Sequence, residues 1–199
     1  MEYYMFNKPK GCVTARTDSL HKTVMVYFPE NMRHTFHPAG RLDKDTEGLL
    51  IITDDGMLTH RLMQPKSHVS KTYFFYAIGT LTDEKILALR NGVILQGQTK
   101  PTLPAEIRCT GTGKITDIED FLPESKKEQL LKTPSQDIFS GFITITEGKN
   151  HQVKRMLRAI DCCIMYLERT AIGNISLDKE LPRGSYRPLT HEETESLGI

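Results

Sequence analysis

Five carboxylates stand close together in GRLDKDTEGLLIITDDG, residues 40–56: Asp43, Asp45, Glu47, Asp54 and Asp55, with Arg41 and Lys44 interleaved. Side chains of this type at this spacing could hold a metal ion, accept a phosphoryl group or act on a glycosidic bond. They could equally bracket one strand with two polar turns. A carboxylate beside Arg or Lys stays ionised at neutral pH, as a nucleophile or base must. What the rest of the chain offers beside these acids decides among the options.

Metal binding has little support. His34 and His37 are three apart in a segment that reads as loop or strand, where that spacing does not put two imidazoles on one face. No Glu occupies the general-base position of a zinc-protease motif. The Asp43-x-Asp45 pair resembles the aspartyl motif of haloacid-dehalogenase-type phosphatases, with Asp54-Asp55 in the place of their later acidic pair. Those enzymes put the first aspartate after a continuous apolar strand and the second pair far downstream. Here FHPAGRL precedes Asp43 and a single strand separates the acids. A Gly-rich loop ending in Lys-Ser or Lys-Thr is absent from the sequence, so nucleotide hydrolysis has no support.

Chemistry on a nucleic acid fits better. It needs an ionised carboxylate, a positive rim, and an aromatic ring to hold an unstacked base. Asp43, the basic stretches, and Tyr73 or Phe74 supply these on paper. Lys+Arg number 26 against 25 Asp+Glu, a net charge of +1, so distribution matters more than the total. Residues 57–71 carry His60, Arg61, Lys66, His68 and Lys71 without an acid, and residues 149–158 carry Lys149, Lys154, Arg155 and Arg158 without one. Acids collect between Asp117 and Glu128 and at Glu192, Glu193 and Glu195. Such sorting suits a polyanion-binding face backed by a solvated one.

The elements that must position these groups can be read locally. Tyr3 to Asn7 reads as a strand ended by Lys8-Pro9-Lys10-Gly11. Leu49 to Thr53 reads as a buried strand, after which Asp54 or Asp55 caps a helix that runs to about Met63 and stops before Pro65. KTYFFYAI, residues 71–78, is aromatic-rich without helical periodicity and predicts a strand. Thr82 caps the next helix and Gly92 closes it. Residues 110–132 turn polar and read as an excursion from the core.

Phe142 to Thr146 alternates like a strand with one buried face. A helix from about Asn150 to Ile160 carries Val153, Met156, Leu157 and Ile160 on one face and His151, Lys154, Arg155 and Arg158 on the other. CCIMYL and ISL read as strands, and Thr190 with Glu193 forms a capping box. The mixture predicts an α+β fold rather than alternating βαβ units. Cys12, Cys109, Cys162 and Cys163 lack metal or redox spacing and read as buried reduced thiols. With no signal-like start and no apolar run near the ~20 residues of a membrane span, a cytoplasmic protein is expected.

GRLDKDTEGLLIITDDG, SKTY, TEGKNHQVKRM, LERTAIGNISLD and GSYRPLT occur in the order and spacing of the RsuA-type ribosomal RNA pseudouridine synthases, and NKPKG resembles that family's start. The resemblance runs from Tyr3 to about Thr190. It implies a single catalytic domain over residues 1–199, without the small N-terminal RNA-binding domain that most members carry. The implied fold is a curved, mixed, mainly antiparallel sheet with flanking helices, in two lobes around a basic cleft. The implied enzyme works without metal or organic cofactor, as a monomer, on ribosomal RNA or a subunit assembly intermediate.

By that resemblance Asp43 attacks the ribose or takes a sugar proton, Tyr73 stacks on the flipped uridine, and Lys154 pairs with the aspartate where many relatives carry arginine. Arg41 resembles the residue that fills the flipped base's place. Lys71, His151, Gln152, Arg155 and Arg158 are the further RNA-binding candidates. HQVKRM and GSYRPLT look closer to enzymes acting on small-subunit RNA. The alternatives are a large-subunit enzyme and a non-catalytic RNA-binding or ribosome-assembly factor.

Overall fold

Leu49 to Ile52 are four consecutive apolar residues, and each is 0% exposed. A run covered on both faces belongs to a central strand. In the computed structural model of the chain, which describes residues 1–64 and 67–198, that run lies in a strand spanning Glu47–Thr53. Pro65 and Lys66, the expected helix stop and a member of the first basic stretch, lie outside the described residues, as does Ile199.

The elements follow as β1 (Tyr3–Lys8), α1 (Glu30–Arg33), β2 (His37–Ala39), β3 (Glu47–Thr53), α2 (Gly56–Met63), β4 (Lys71–Ile78), α3 (Asp83–Asn91) and β5 (Glu106–Lys114). Then come a 3-10 segment (Ile115–Phe121), α4 (Glu124–Leu131), β6 (Asp137–Ile145), α5 (Gln152–Arg158), β7 (Cys163–Ile172), β8 (Ile175–Ser176), β9 (Tyr186–Pro188) and α6 (His191–Ser196). They form two compact units, one of Met1–Lys71 with Glu168–Ile199, the other of Thr72–Leu167.

In the first unit β3 pairs antiparallel with β1, from Tyr3↔Thr53 to Lys8↔Gly48, and β1 pairs antiparallel with β9. The first residues of β3 run parallel to β7, Glu47 beside Glu168 and Gly48 beside Arg169. Gly48 has φ +99°, and a Cβ there would strike the Arg169 backbone, so this close approach requires glycine. Met5, Leu49, Ile51, Leu58, Leu62, Ile172 and Ile175 make one apolar cluster between the strands and α2.

Asp55, rather than Asp54, caps α2. Its carboxylate accepts from Met57 N at 2.9 Å and Leu58 N at 3.0 Å and from the Tyr3 hydroxyl at 2.9 Å. Asp55→Ala is expected to cost about 1–2 kcal/mol in urea denaturation; an unchanged midpoint would contradict the cap. The Leu58 amide, first among several donors, holds the Asp55 carboxyl below the ordinary carboxylate range. The unfolded carboxyl titrates at about 3.9. The cap is therefore fully effective above that pH and is lost as pH falls through the lower folded value.

In the second unit the hydrogen-bonded order is β5, β6, β4, β7. Tyr73, Phe75 and Ala77 are buried on one face of β4, while Phe74 and Tyr76 on the other meet Phe142, Tyr166 and Phe121. Residues 110–132, expected as a polar excursion, hold the end of β5, the 3-10 segment and α4. Ile115, Ile118 and Leu122 are buried there against Ile138 and Met165. The apolar residues sit at spacings that the surrounding charges obscure, and the segment covers part of its own unit's sheet. Cys109 is exposed beside a bulge in β5, unlike the buried Cys12 and Cys162.

The strands are mainly antiparallel, with β3 parallel to β7, and helices flank them: an α+β fold. Among the described residues no helix is long and apolar enough to cross a membrane.

Candidate active site

The turn carrying Asp43 is fixed chiefly through its backbone. Thr46 N donates to Asp43 O at 3.1 Å and closes it. The Thr14 hydroxyl donates to Leu42 O at 2.8 Å and accepts from Leu42 N at 3.1 Å. Gly11 N donates to Lys44 O at 2.7 Å. Lys8, fully buried at the end of β1, donates from Nζ to Thr46 O at 2.8 Å, to Pro9 O at 3.0 Å and to Lys44 O at 3.4 Å. Arg169 on β7, 1% exposed, donates from Nε to Leu49 O at 2.8 Å and from Nη1 to Arg41 O at 3.4 Å.

Asp43 itself is half-buried, and Arg41 and Lys44 beside it are exposed. Burial pushes the Lys8 ammonium below the usual lysine range, opposed by Cys12, Asp45, Glu47 and Asp43. The result is a carboxylate on a turn held by backbone hydrogen bonds and backed by a desolvated cation, an arrangement suited to nucleophilic or basic attack.

The other acids have separate duties. Glu47 pairs with Arg183 at 3.3 Å, and the same guanidinium pairs with Glu168 at 2.6 Å. Asp54 accepts from Glu2 N at 2.8 Å, and Asp55 is the cap. Asp45 is exposed. His37 meets the Thr59 hydroxyl at 3.0 Å, and among the described residues no group of three His, Cys, Asp or Glu is arranged to hold a metal.

Lys71, expected to contact RNA, is half-buried in the first unit and donates to Val69 O at 3.1 Å. Desolvation first and Arg169 second push its ammonium below the usual lysine range.

In the second unit Tyr73 is 8% exposed on β4. The loop before α5 is held by Glu147, whose Oε1 accepts from Leu103 N at 2.9 Å and from Gln152 Nε2 at 2.7 Å, and whose Oε2 pairs with Lys149 at 3.2 Å. His151 enters the helix in the left-handed region, φ 49°, and is exposed. Val153, Met156, Leu157 and Ile160 are buried as their spacing predicts.

On the other face Lys154 is half-buried and Arg158 exposed. Arg155 is partly committed, donating to Gln96 O at 2.8 Å and Asn150 O at 3.3 Å. Gln152, expected to contact RNA, is turned inward. It is 4% exposed, its Oε1 accepts from Lys149 N at 2.8 Å, and its Nε2 serves Glu147 and the Met156 sulfur. Its amide fastens the helix's first turn.

Arg41, Asp43 and Lys71 thus belong to the first unit, and Tyr73, His151, Gln152, Lys154, Arg155 and Arg158 to the second. Lys8, Thr14 and Arg169 were not legible as site residues, although a lysine closing the apolar run YYMFN was a signal that its ammonium could be buried.

The family model described as RNA pseudouridylate synthase matches residues 2–159. An RNA pseudouridine synthase of Bacillus subtilis is 41% identical over 98% of this chain and 72% of its own length. The ribosomal small subunit pseudouridine synthase A of Escherichia coli K12 is 36% identical over 98% of this chain and 73% of its own. A crystal structure of a pseudouridylate synthase superposes with a TM-score of 0.80 at 35% identity, covering 98% of this chain and 73% of that one. The human RNA pseudouridylate synthase domain containing 1, at 13% identity and a TM-score of 0.59, shares the fold.

Proposed function

Because this chain belongs to the RNA pseudouridylate synthase family, we propose that it isomerises a uridine in small-subunit ribosomal RNA to pseudouridine, with Asp43 as the reactive carboxylate. The observation that carries this reading is the Asp43 turn, pinned by Lys8, Thr14, Gly11 and Arg169 with its carboxylate only half-buried. Relatives named ribosomal small subunit pseudouridine synthase A support the choice of RNA.

The target base leaves the stack, since a paired and stacked uridine hides its glycosidic bond. Asp43 acts on the ribose as nucleophile or base. The N1–C1′ bond breaks, the uracil turns, and a C5–C1′ bond forms; C5 loses its proton and N1 gains one. Tyr73 and Lys154 are assigned the roles that the family resemblance implies for them. Arg41, exposed beside Asp43, is assigned to the space vacated by the base. Arg158 and His151 are assigned to phosphate contacts.

Purified protein should form pseudouridine at one position in a small-subunit transcript or assembly intermediate, read by chemical mapping. Product only in large-subunit RNA would move the target. Binding without product in either RNA would favour a binding factor.

Arg158→Ala is expected to reduce the slope of log affinity against log salt by about 0.7–0.9, the loss of one phosphate contact. Arg155→Ala should do less, because its guanidinium already serves two carbonyls. An unchanged slope in both variants would remove this helix face from the RNA interface.

A further inference from the structure

Among the described residues two buried side-chain polar atoms have no hydrogen-bond partner, Thr46 Oγ1 and Arg169 Nη2. Both belong to the Asp43 segment or to the strand beside it. Unpaired polar atoms in a folded interior are uncommon and call for an explanation. For Arg169 the cost is greater, because the group is charged, 1% exposed and served only by carbonyls. The carboxylates nearest in the pairing, Glu47 and Glu168, are taken by Arg183 instead. For stability alone a well-packed apolar side chain would serve at least as well in such a place.

We propose that Arg169 is a positioning residue for the reaction: it fixes the Asp43 segment at both ends, by the carbonyl of Arg41 before the aspartate and that of Leu49 after it. This rests on the reading of Asp43 as the reactive carboxylate. The parallel pairing of Gly48 with Arg169 makes the clamp possible. With no Cβ on Gly48, β7 approaches the start of β3 closely enough for a rigid guanidinium to span carbonyls eight residues apart in sequence, Arg41 and Leu49. A lysine in this place would have a compact ammonium without the guanidinium's fixed planar fork, so it would not present donors to Arg41 O and Leu49 O in the same rigid geometry.

The test compares Arg169→Met and Arg169→Lys with wild type. It measures single-turnover rate and KM on the modified transcript, RNA affinity by filter binding, and amide hydrogen exchange. Arg169→Met should lose at least about a hundredfold in kcat, as expected when a reacting group drifts by about an ångström, with KM and RNA affinity within about threefold. Arg169→Lys should recover about tenfold of that loss. Exchange at the Thr46 amide, which closes the Asp43 turn, should quicken in both variants while the Ile51 amide in the core of β3 stays protected.

A folded Arg169→Met with kcat within threefold of wild type overturns the proposal, and so does a loss residing wholly in RNA affinity. Should Arg169→Met fail to fold, Arg169→Lys decides: wild-type kcat and unchanged Thr46 exchange overturn the clamp, and lowered kcat with normal KM supports it. A wild-type protein that modifies no RNA would refute the functional reading alone, and the Thr46 exchange would still test the clamp.

Discussion

Asp43→Asn is expected to cut pseudouridine formation by at least about a thousandfold, about 4 kcal/mol of transition-state stabilisation, while RNA affinity stays within about threefold. Asparagine keeps the shape of the side chain, and the turn is held by backbone groups: Thr46 N on Asp43 O, Thr14 on Leu42, and Gly11 and Lys8 on Lys44. What is lost is the negative charge and the ability to form a glycosyl ester or take a proton. Because C5 gives up its hydrogen, a transcript tritiated at C5 reports turnover directly as tritium released to water. A variant that releases tritium at the wild-type rate would remove Asp43 from the chemistry.

Lys8→Met is the second large effect, and it separates activity from stability. Two of the three carbonyls served by the ammonium keep another donor, Pro9 O from the Cys12 thiol and Lys44 O from Gly11 N. Thr46 O is the one left stranded. Relief of a desolvated charge offsets part of the loss, so stability should fall by only about 1–2 kcal/mol. The rate should fall about ten- to a hundredfold, because the turn bearing Asp43 loses the ammonium that holds Lys44 O and Thr46 O.

The pH dependence has a definite sign. Burial lowers the folded Lys8 value below that of an unfolded lysine, about 10.4. Between those two values the unfolded chain binds more protons, so wild-type stability relative to Lys8→Met rises with pH across that interval. Denaturation midpoints of the two proteins, compared from neutral pH to about pH 10.4, would show it. A difference that falls with pH would mean that Lys8 is not desolvated.

Much of the fold could be read locally because local rules govern it. KTYFFYAI is β4 to the residue, Thr82 and Gly92 bound α3, and Thr190 with Glu193 forms the capping box of α6. Boundaries moved where pairing, rather than composition, sets the end. β6 begins at Asp137, before the alternating run, because β5 lies alongside to pair with it. β7 continues to Ile172 because β3 and β8 receive its last residues. The amphipathic pattern of α5 correctly buried Val153, Met156, Leu157 and Ile160. It says nothing of Gln152, whose place in the first turn is set by Glu147, five residues back.

For the candidate site, the chain's own order of residues determined where the reactive acid must be sought. By the family resemblance GRLDKDTEGLLIITDDG puts Asp43 forward as that acid, and the motifs around Tyr73 and Lys154 put forward the proposed partners. Tertiary structure alone decided what holds that acid. Thr14 reaches Leu42 across 28 residues, Lys8 reaches Thr46 across 38 and Arg169 reaches Arg41 across 128. Each of these side chains bonds a backbone carbonyl or amide, and every residue carries a carbonyl. No pattern of side-chain types along the chain can say which one a buried lysine or arginine will find.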